Sequence, residues 1–259
     1  MSEFALLCQA DRAGREERLA HQVAMLEDLP LCAVGIEGLE QYAAQIAGGG
    51  WLPVGSVEFV RRAMVLAGIE EPENLSYPPQ LRPYLHRLLE RRVAGTVMGR
   101  WFVKPVATKT FTGFVLDTLG DPADLGEHDR AQCEAFLALD PAACVWVSEP
   151  VAWRSEVRFY VLDGQIVGEG RYDDGPDDAL LPDAAVVREM ASRFSATPGA
   201  PVAFALDAGV LECGATALVE LNDAWALGFY SGTLKPDRYL NMLWRRWRQL
   251  AAPGRRQCF

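Results

Sequence analysis

Six strand-like runs crowd the chain after Trp101, and they commit that half to a sheet-based fold: WFVKPV, FTGFVL, VWVSEPV, VRFYVLDGQIVGEG, FALDAGVLE and ALVELN. Their β-branched and aromatic residues suit a pleated, half-buried surface. The first hundred residues read differently. Phe4 to Gln9 and Leu31 to Ile36 are short apolar runs, and Gly14 to Leu29 between them has apolar residues at helical spacing. That alternation predicts a small α/β lobe. GGGW, Gly48 to Trp51, breaks it. Ser56 then reads as an N-cap for a helix that carries Val57, Val60 and Met64 and stops at Gly68. LRPYLHRLLERRV reads as a further helix. Two more helices are expected within and after the strand-rich half, Ala184 to Phe194 and Pro236 to Leu250. The expected class is α+β, with an N-terminal lobe over 1–99 and a second region over 100–259 divided near Gly99.

Composition removes several functions. No apolar run reaches the roughly 18–20 residues of a membrane helix. The N-terminal segment has no charged n-region and no cleavage pattern, so a secretory signal is not expected. The formal net charge of −10 argues against a nucleic-acid partner, because binding a phosphate backbone needs Lys and Arg. Six scattered cysteines form no C-x-x-C pair, and the three histidines supply no zinc set. Reduced thiols in a cytoplasmic protein are expected.

Three segments carry chemistry. In WFVKP, Lys104 lies within an apolar strand, where an unpaired ammonium is costly to bury. It is expected to face an anion in a cleft. The turn that follows carries Lys109, Thr112 and Gly113, small or basic residues that let backbone N–H groups approach phosphate. A plain hairpin with solvated lysines is the alternative. In VWVSEPVAWRSEVRF, a strand enters a proline bend at Glu149-Pro150-Val151, where exposed backbone groups can pair with an adenine edge. Glu156 begins the next strand and can accept ribose hydroxyls. Arg158, two residues on, shares its face. A cross-strand ion pair would use the same residues. In the third segment, Asp207 lies in FALDAGVL, and the return strand ALVELN puts Glu220 and Asn222 on one face beside it. Such an all-oxygen set suits Mg²⁺. A polar cluster satisfied by backbone and water is the alternative.

Taken in order, FVKP, SEPV followed by Glu156, and LD followed by VELN resemble the ATP-grasp superfamily, of which D-alanine–D-alanine ligase is a familiar member. LPVGSVEFV and the closing WALGFYSG resemble a short clade of that superfamily. The resemblance implies two α+β lobes gripping ATP, preceded by a small α/β lobe. It implies that Lys104 holds α/β-phosphates, that Pro150 and Val151 lie beside adenine, that Glu149 and Glu156 are the hinge and ribose glutamates, and that Asp207, Glu220 and Asn222 hold Mg²⁺. The superfamily's first phosphate lysine has no counterpart, and Arg61 or Arg62 is expected in its place. The arginine usual two residues before the metal aspartate is Ala205 here, so Arg158 or Arg171 is expected to meet the transferred phosphate.

The implied reaction is ATP-dependent joining of a small-molecule or peptide carboxylate to a nucleophilic acceptor through an acyl phosphate, with Lys104 and Arg158 offsetting charge. A small-molecule kinase is the second reading. A nucleotide-binding or interaction module without turnover, using tryptophans such as Trp244 and Trp247 as an interface, is the third. The acidic stretch Gly170 to Pro182, with Asp173, Asp174, Asp177 and Asp178, is read either as a surface turn or as part of an acceptor pocket for a cation.

Overall fold

The computed structural model describes residues 4–107, 110–120 and 125–252. The N-terminal lobe is a three-stranded parallel sheet, ordered β2-β1-β3, from β1 (Ala5–Gln9), β2 (Leu31–Val34) and β3 (Trp51–Val54). Helix α1 (Arg15–Glu27) connects β1 to β2, and α2 (Ala43–Ala47) precedes β3. Trp51, which the triple glycine set off as a break, starts β3 and pairs with Ala5. Helix α3 (Val57–Ala67) begins where Ser56 Oγ accepts a hydrogen bond from Phe59 N at 3.2 Å and ends at Gly68 with φ 67°. Both are capping signals that operate locally, and so were visible in the sequence.

The segment expected as a helix from Leu81 is not one. Residues Pro79–Tyr84 form 3₁₀ turns, and Leu89–Val93 is strand β4. Leu, Glu and Arg are good helix formers, but β4 lies along the exposed edge of a sheet, where its partner β7 (Cys144–Ser148) supplies the hydrogen bonds. The four-stranded antiparallel sheet is ordered β4-β7-β5-β6, with β5 (Arg100–Pro105) and β6 (Phe114–Asp117). It therefore begins at Leu89, ahead of Gly99. Helix α4 (Glu127–Leu137) packs on it, and Phe136 is its one buried residue. That weak apolar stripe is why the helix carried little signal in the sequence.

A second four-stranded antiparallel sheet is ordered β11-β10-β8-β9, from β8 (Trp153–Leu162), β9 (Gln165–Arg171), β10 (Ala203–Leu211) and β11 (Thr216–Asp223). Helix α5 (Ala184–Ser195) covers one face. Helix α6 (Pro236–Ala251) turns its apolar side to the N-terminal lobe, and Trp244 and Trp247 are each 2% exposed. They are core, not interface. One apolar cluster joins the N-terminal sheet, α6 and the back of β8 and β10. Among the described residues, no helix is long and apolar enough to cross a membrane.

Candidate active site

The two antiparallel sheets face each other across a cavity of about 470 Å³. One wall comes from β5 and β6, through Phe102, Lys104 and Val115. The other comes from β8, β10 and β11, through Glu156, Arg158, Asp207 and Glu220. Asp207 lies on the central strand β10. It pairs in register with Arg158 of β8 on one side and Glu220 of β11 on the other. A register shift follows Asp207, so that Ala208 pairs with Leu218 and Val219 is the extra residue. Beyond the shift, Asn222 stays on the Glu220 face, as the period of two requires.

Asp207 is 1% exposed and sits at the centre of the polar set. Arg158 grips it through two parallel hydrogen bonds, Nε to Oδ1 at 2.8 Å and Nη2 to Oδ2 at 2.6 Å. The amide nitrogen of Asn222 lies 3.0 Å from Asp207 Oδ2 and 2.9 Å from Glu220 Oε1. The Lys104 ammonium crosses the cleft to Glu220 and ties the two sheets together. Both carboxylates thus carry a cation. Burial holds the Lys104 ammonium well below its ordinary value, to about 7, with the Asp207 charge acting in the opposite direction. Burial also works against the Arg158 cation, but the charge and hydrogen bonds of Asp207 outweigh it and raise its pKa. Glu156 is raised by burial, although Tyr172 donates to its Oε2 at 2.8 Å.

Aromatic rings frame these charges. Tyr172 stacks on Tyr230 at 5.0 Å, and the Arg158 guanidinium lies over Tyr230 at 4.9 Å. Lys104 lies 5.3 Å over Tyr77. Gly113 closes the end of the cleft. A Cβ there would lie 2.6 Å from the Phe102 ring, so the turn after β5 comes this near only because residue 113 has no side chain.

The other expected residues divide. Thr112 lines the cleft, and its N–H donates to Gln132 Oε1 of α4 at 2.7 Å. Val151 lines it too, whereas Glu149 is exposed and accepts from Leu88 N at 3.1 Å. Pro150, half-buried, lies in the bend between β7 and β8. Lys109 lies outside the described residues. Arg61 and Arg62 do not line the cavity itself, although the Arg61 guanidinium lies 5.9 Å over the ring of Trp225, which borders it. Arg61 pairs with Glu71 at 2.8 Å, and Arg62 pairs with Glu40. Arg171 is held by Asp173 at 2.6 Å, and Asp173 also accepts from Glu156 N and Gly175 N. That acid folds the loop back on itself, which supports the surface-turn reading of the stretch.

Arg87 was not anticipated. It lines the same cavity, donates to the carbonyls of Leu218 and Val219 at 2.9 and 3.1 Å, and lies over the rings of Tyr77 and Trp153. Its Nε is buried without a hydrogen-bond partner. It was missed because it falls in the segment that reads as a helix. Tyr172 and Tyr230 had no sequence signal, since a stack between residues so far apart exists only after folding.

The donor set can be tested against the metal it suggests. Among the described residues, no group of three His, Cys, Asp or Glu side chains is placed to hold a metal alone. Two carboxylates and an amide fit Mg²⁺ bound together with phosphate oxygens, the usual manner for this ion at nucleotide sites.

Two antiparallel sheets closing on one charged cleft define a nucleotide-grasping architecture. The family model described as an ATP-grasp domain, family 3 of the R-2-K clade, matches residues 50–250, and the chain belongs to that family. No curated protein sequence matches the chain. Solved structures share the fold at low identity. The ATP-grasp ligase PsnB, complexed with a minimal precursor, superposes with a TM-score of 0.51 at 13% identity, covering 93% of this chain and 99% of that one. An L-amino acid ligase from Bacillus licheniformis gives 0.50 at 13% identity, over 86% of this chain and 69% of that one. A D-alanine–D-alanine ligase from Bacillus anthracis complexed with ATP gives 0.49 at 10% identity, over 96% and 98%.

Proposed function

We propose that the protein uses Mg-ATP to activate a carboxylate as an acyl phosphate and passes the acyl group to a nucleophile, releasing ADP and phosphate. The observation that carries this reading is the gathering of Lys104, Arg158, Asp207, Glu220 and Asn222 from four strands of two opposed sheets around one cleft. Support comes from the shared fold of PsnB, which has been solved with its precursor, Mg and ADP.

In this reading Asp207, Glu220 and Asn222 hold Mg²⁺, which when bound offsets phosphate charge and orients the nucleotide. Lys104 and Arg87 take phosphate oxygens, and Glu156 takes the ribose. Val151 lies against adenine, with Glu149 and Pro150 shaping the bend. Thr112 belongs to the turn that covers the phosphates. Arg158 faces the oxygens of the transferred phosphoryl group. The cations now on Asp207 and Glu220 are then shared with phosphate, so the cleft exchanges internal ion pairs for ligand contacts. A substrate carboxylate oxygen bonds to the γ-phosphorus and the bond to the ADP oxygen breaks. The nucleophile next attacks the acyl carbon, and phosphate leaves. The protein's contribution is positioning and charge neutralisation.

Hydroxylamine tests this directly, because it intercepts acyl phosphates as hydroxamates. A panel of carboxylates with Mg-ATP is expected to yield ADP and hydroxamate in equal amounts. ADP with a stable phosphorylated product and no hydroxamate identifies a kinase. Absence of both ADP formation and Mg-ATP binding would refute the nucleotide site.

A further inference from the structure

Tyr160 lies on β8 two residues from Arg158 and on the same face of the strand. It is 0% exposed and stands behind the cleft wall without lining it. Its ring packs beside Phe229 and edge-on to Tyr239, in the apolar cluster that joins the sheet to the N-terminal lobe. A phenylalanine there would fill the same space. The hydroxyl, costly to bury unless it is bonded, therefore needs its own reason.

Both of its hydrogen bonds go to one short stretch of backbone, residues 228–230. It accepts from Tyr230 N at 2.7 Å and donates to Gly228 O at 3.2 Å. From the other side, Arg15 donates to Phe229 O at 2.8 Å and Glu16 accepts from Phe229 N at 3.1 Å. Both peptide groups of the stretch are thus fixed at N–H and C=O alike, although it belongs to no strand or helix. β9 lets it come close at Gly170, where a Cβ would lie 2.7 Å from Tyr230 O.

This stretch is what backs Arg158. The Tyr230 ring lies against the guanidinium at 4.9 Å, where the negative face of an aromatic ring attracts a cation, and it is itself stacked on Tyr172 at 5.0 Å. Gly228 O lies 3.4 Å from Arg158 Nη1, and Asp207 takes Nε and Nη2. The guanidinium is therefore held along one edge, on one face and at Nη1. Its remaining N–H groups are left for a ligand in the cleft, which Arg158 lines.

We propose that Tyr160 is a positioning residue for phosphoryl transfer: its hydroxyl pins residues 228–230, so that the Tyr230 ring and the Gly228 carbonyl set the angle at which Arg158 meets the transferred phosphate. The role rests on the assignment of Arg158 to that phosphoryl group, and it applies to a ligase and a kinase alike. Without the hydroxyl, both peptide groups lose their inner partner and the ring shifts. Arg158 then keeps its ion pair with Asp207 and loses its direction.

Carboxylate-dependent ADP formation by the full chain is the readout, because it reports phosphoryl transfer whatever follows. Tyr160→Phe is expected to lower kcat about 10–100-fold, the scale for a slightly misplaced group, and to leave the KM of ATP unchanged. Arg158→Lys keeps the charge and loses the paired fit to Asp207. Adding Tyr160→Phe to Arg158→Lys is expected to cost nothing further, because the tyrosine acts through the arginine. Tyr239→Phe is the control. Its hydroxyl is also buried and donates to Leu227 O at 2.5 Å, one residue before the stretch. It is expected to lower the melting temperature, as Tyr160→Phe does, and to leave kcat unchanged. Tyr230→Leu removes the ring and keeps the backbone bonds. It is expected to reproduce the loss in kcat, and it decides the matter if Tyr160→Phe does not fold. An unchanged kcat in either Tyr160→Phe or Tyr230→Leu, a loss that multiplies with that of Arg158→Lys, or an equal loss in Tyr239→Phe overturns the positioning role and leaves the nucleotide site standing. Wild-type protein that forms no ADP with any carboxylate of the panel refutes the role of Arg158, and that of Tyr160 with it.

Discussion

Two buried arginine–aspartate pairs in this molecule have the same geometry and different surroundings. Arg158 with Asp207 and Arg246 with Asp223 each form parallel bonds of 2.8 and 2.6 Å. The Arg246 pair borders the cleft only through Asp223 and is otherwise turned into the protein. Asp223 also accepts from Trp225 N, Arg246 Nη1 donates to Gln249, and the surrounding apolar cluster joins α6 to the N-terminal lobe. It fixes the chain segment that walls the cleft. The Arg158 pair opens on that cleft and shares Asp207 with Asn222. Ion-pair chemistry alone does not separate structural from functional roles. What separates them is that both members of the Arg158 pair line the cleft, whereas Arg246 lies behind Asp223 and does not.

The largest expected difference is catalytic. Asp207→Asn is expected to lower carboxylate-dependent ADP formation by about 10²–10³, the scale for losing one charged partner of a reacting phosphate. Chelation of Mg²⁺ should abolish it. Arg246→Met should leave the turnover of folded protein unchanged; equal losses in the two variants would erase the distinction.

Stability should show the reverse order. Arg246→Met leaves a buried carboxylate uncompensated, at a cost of about 3–5 kcal/mol in urea unfolding. Adding Asp223→Leu should recover much of it, because the desolvation penalty goes with the charge. Asp207→Asn should cost less than Arg246→Met, since Arg158 borders a cleft that water can enter. Mg-ATP at a hundred times its Kd should stabilise the wild-type protein by about 2.7 kcal/mol, read from thermal melts. A smaller gain in Lys104→Met would place Lys104 at the phosphates.

The smallest effect concerns the pair in the acidic loop. The hydrogen bond from Arg171 depresses the Asp173 carboxylate below its ordinary value. A depressed acid stabilises the fold above its unfolded pKa and stops doing so as pH falls through the folded one. Asp173→Asn should therefore be less stable than wild type at neutral pH, with the difference disappearing in acid. A difference independent of pH would mean that packing, not charge, orders the loop.

The polar set on β10 and β11 was legible because strand period and hairpin pairing are short-range rules. Asp207, Glu220 and Asn222 needed only a turn to meet. Lys104 announced itself as a charge in an apolar run, though its partner Glu220 on the other sheet could not be read from it. Ser56 and Gly68 marked α3 by capping chemistry that acts within a few residues. Strand β4 was hidden because Leu, Glu and Arg favour a helix unless a neighbouring strand supplies hydrogen bonds. Arg87 was hidden with it.

By itself the sequence determined the elements whose causes are local: amphipathic helices, alternating strands, caps, and the face on which each polar residue lies. Tertiary structure decided which charges neutralise each other and which arginine enters the cleft. These outcomes depend on the packing of two sheets and a lobe over long sequence separations. Burial and the partner charges it brings close, not sequence spacing, set the energies of Lys104, Glu156 and Arg158 there.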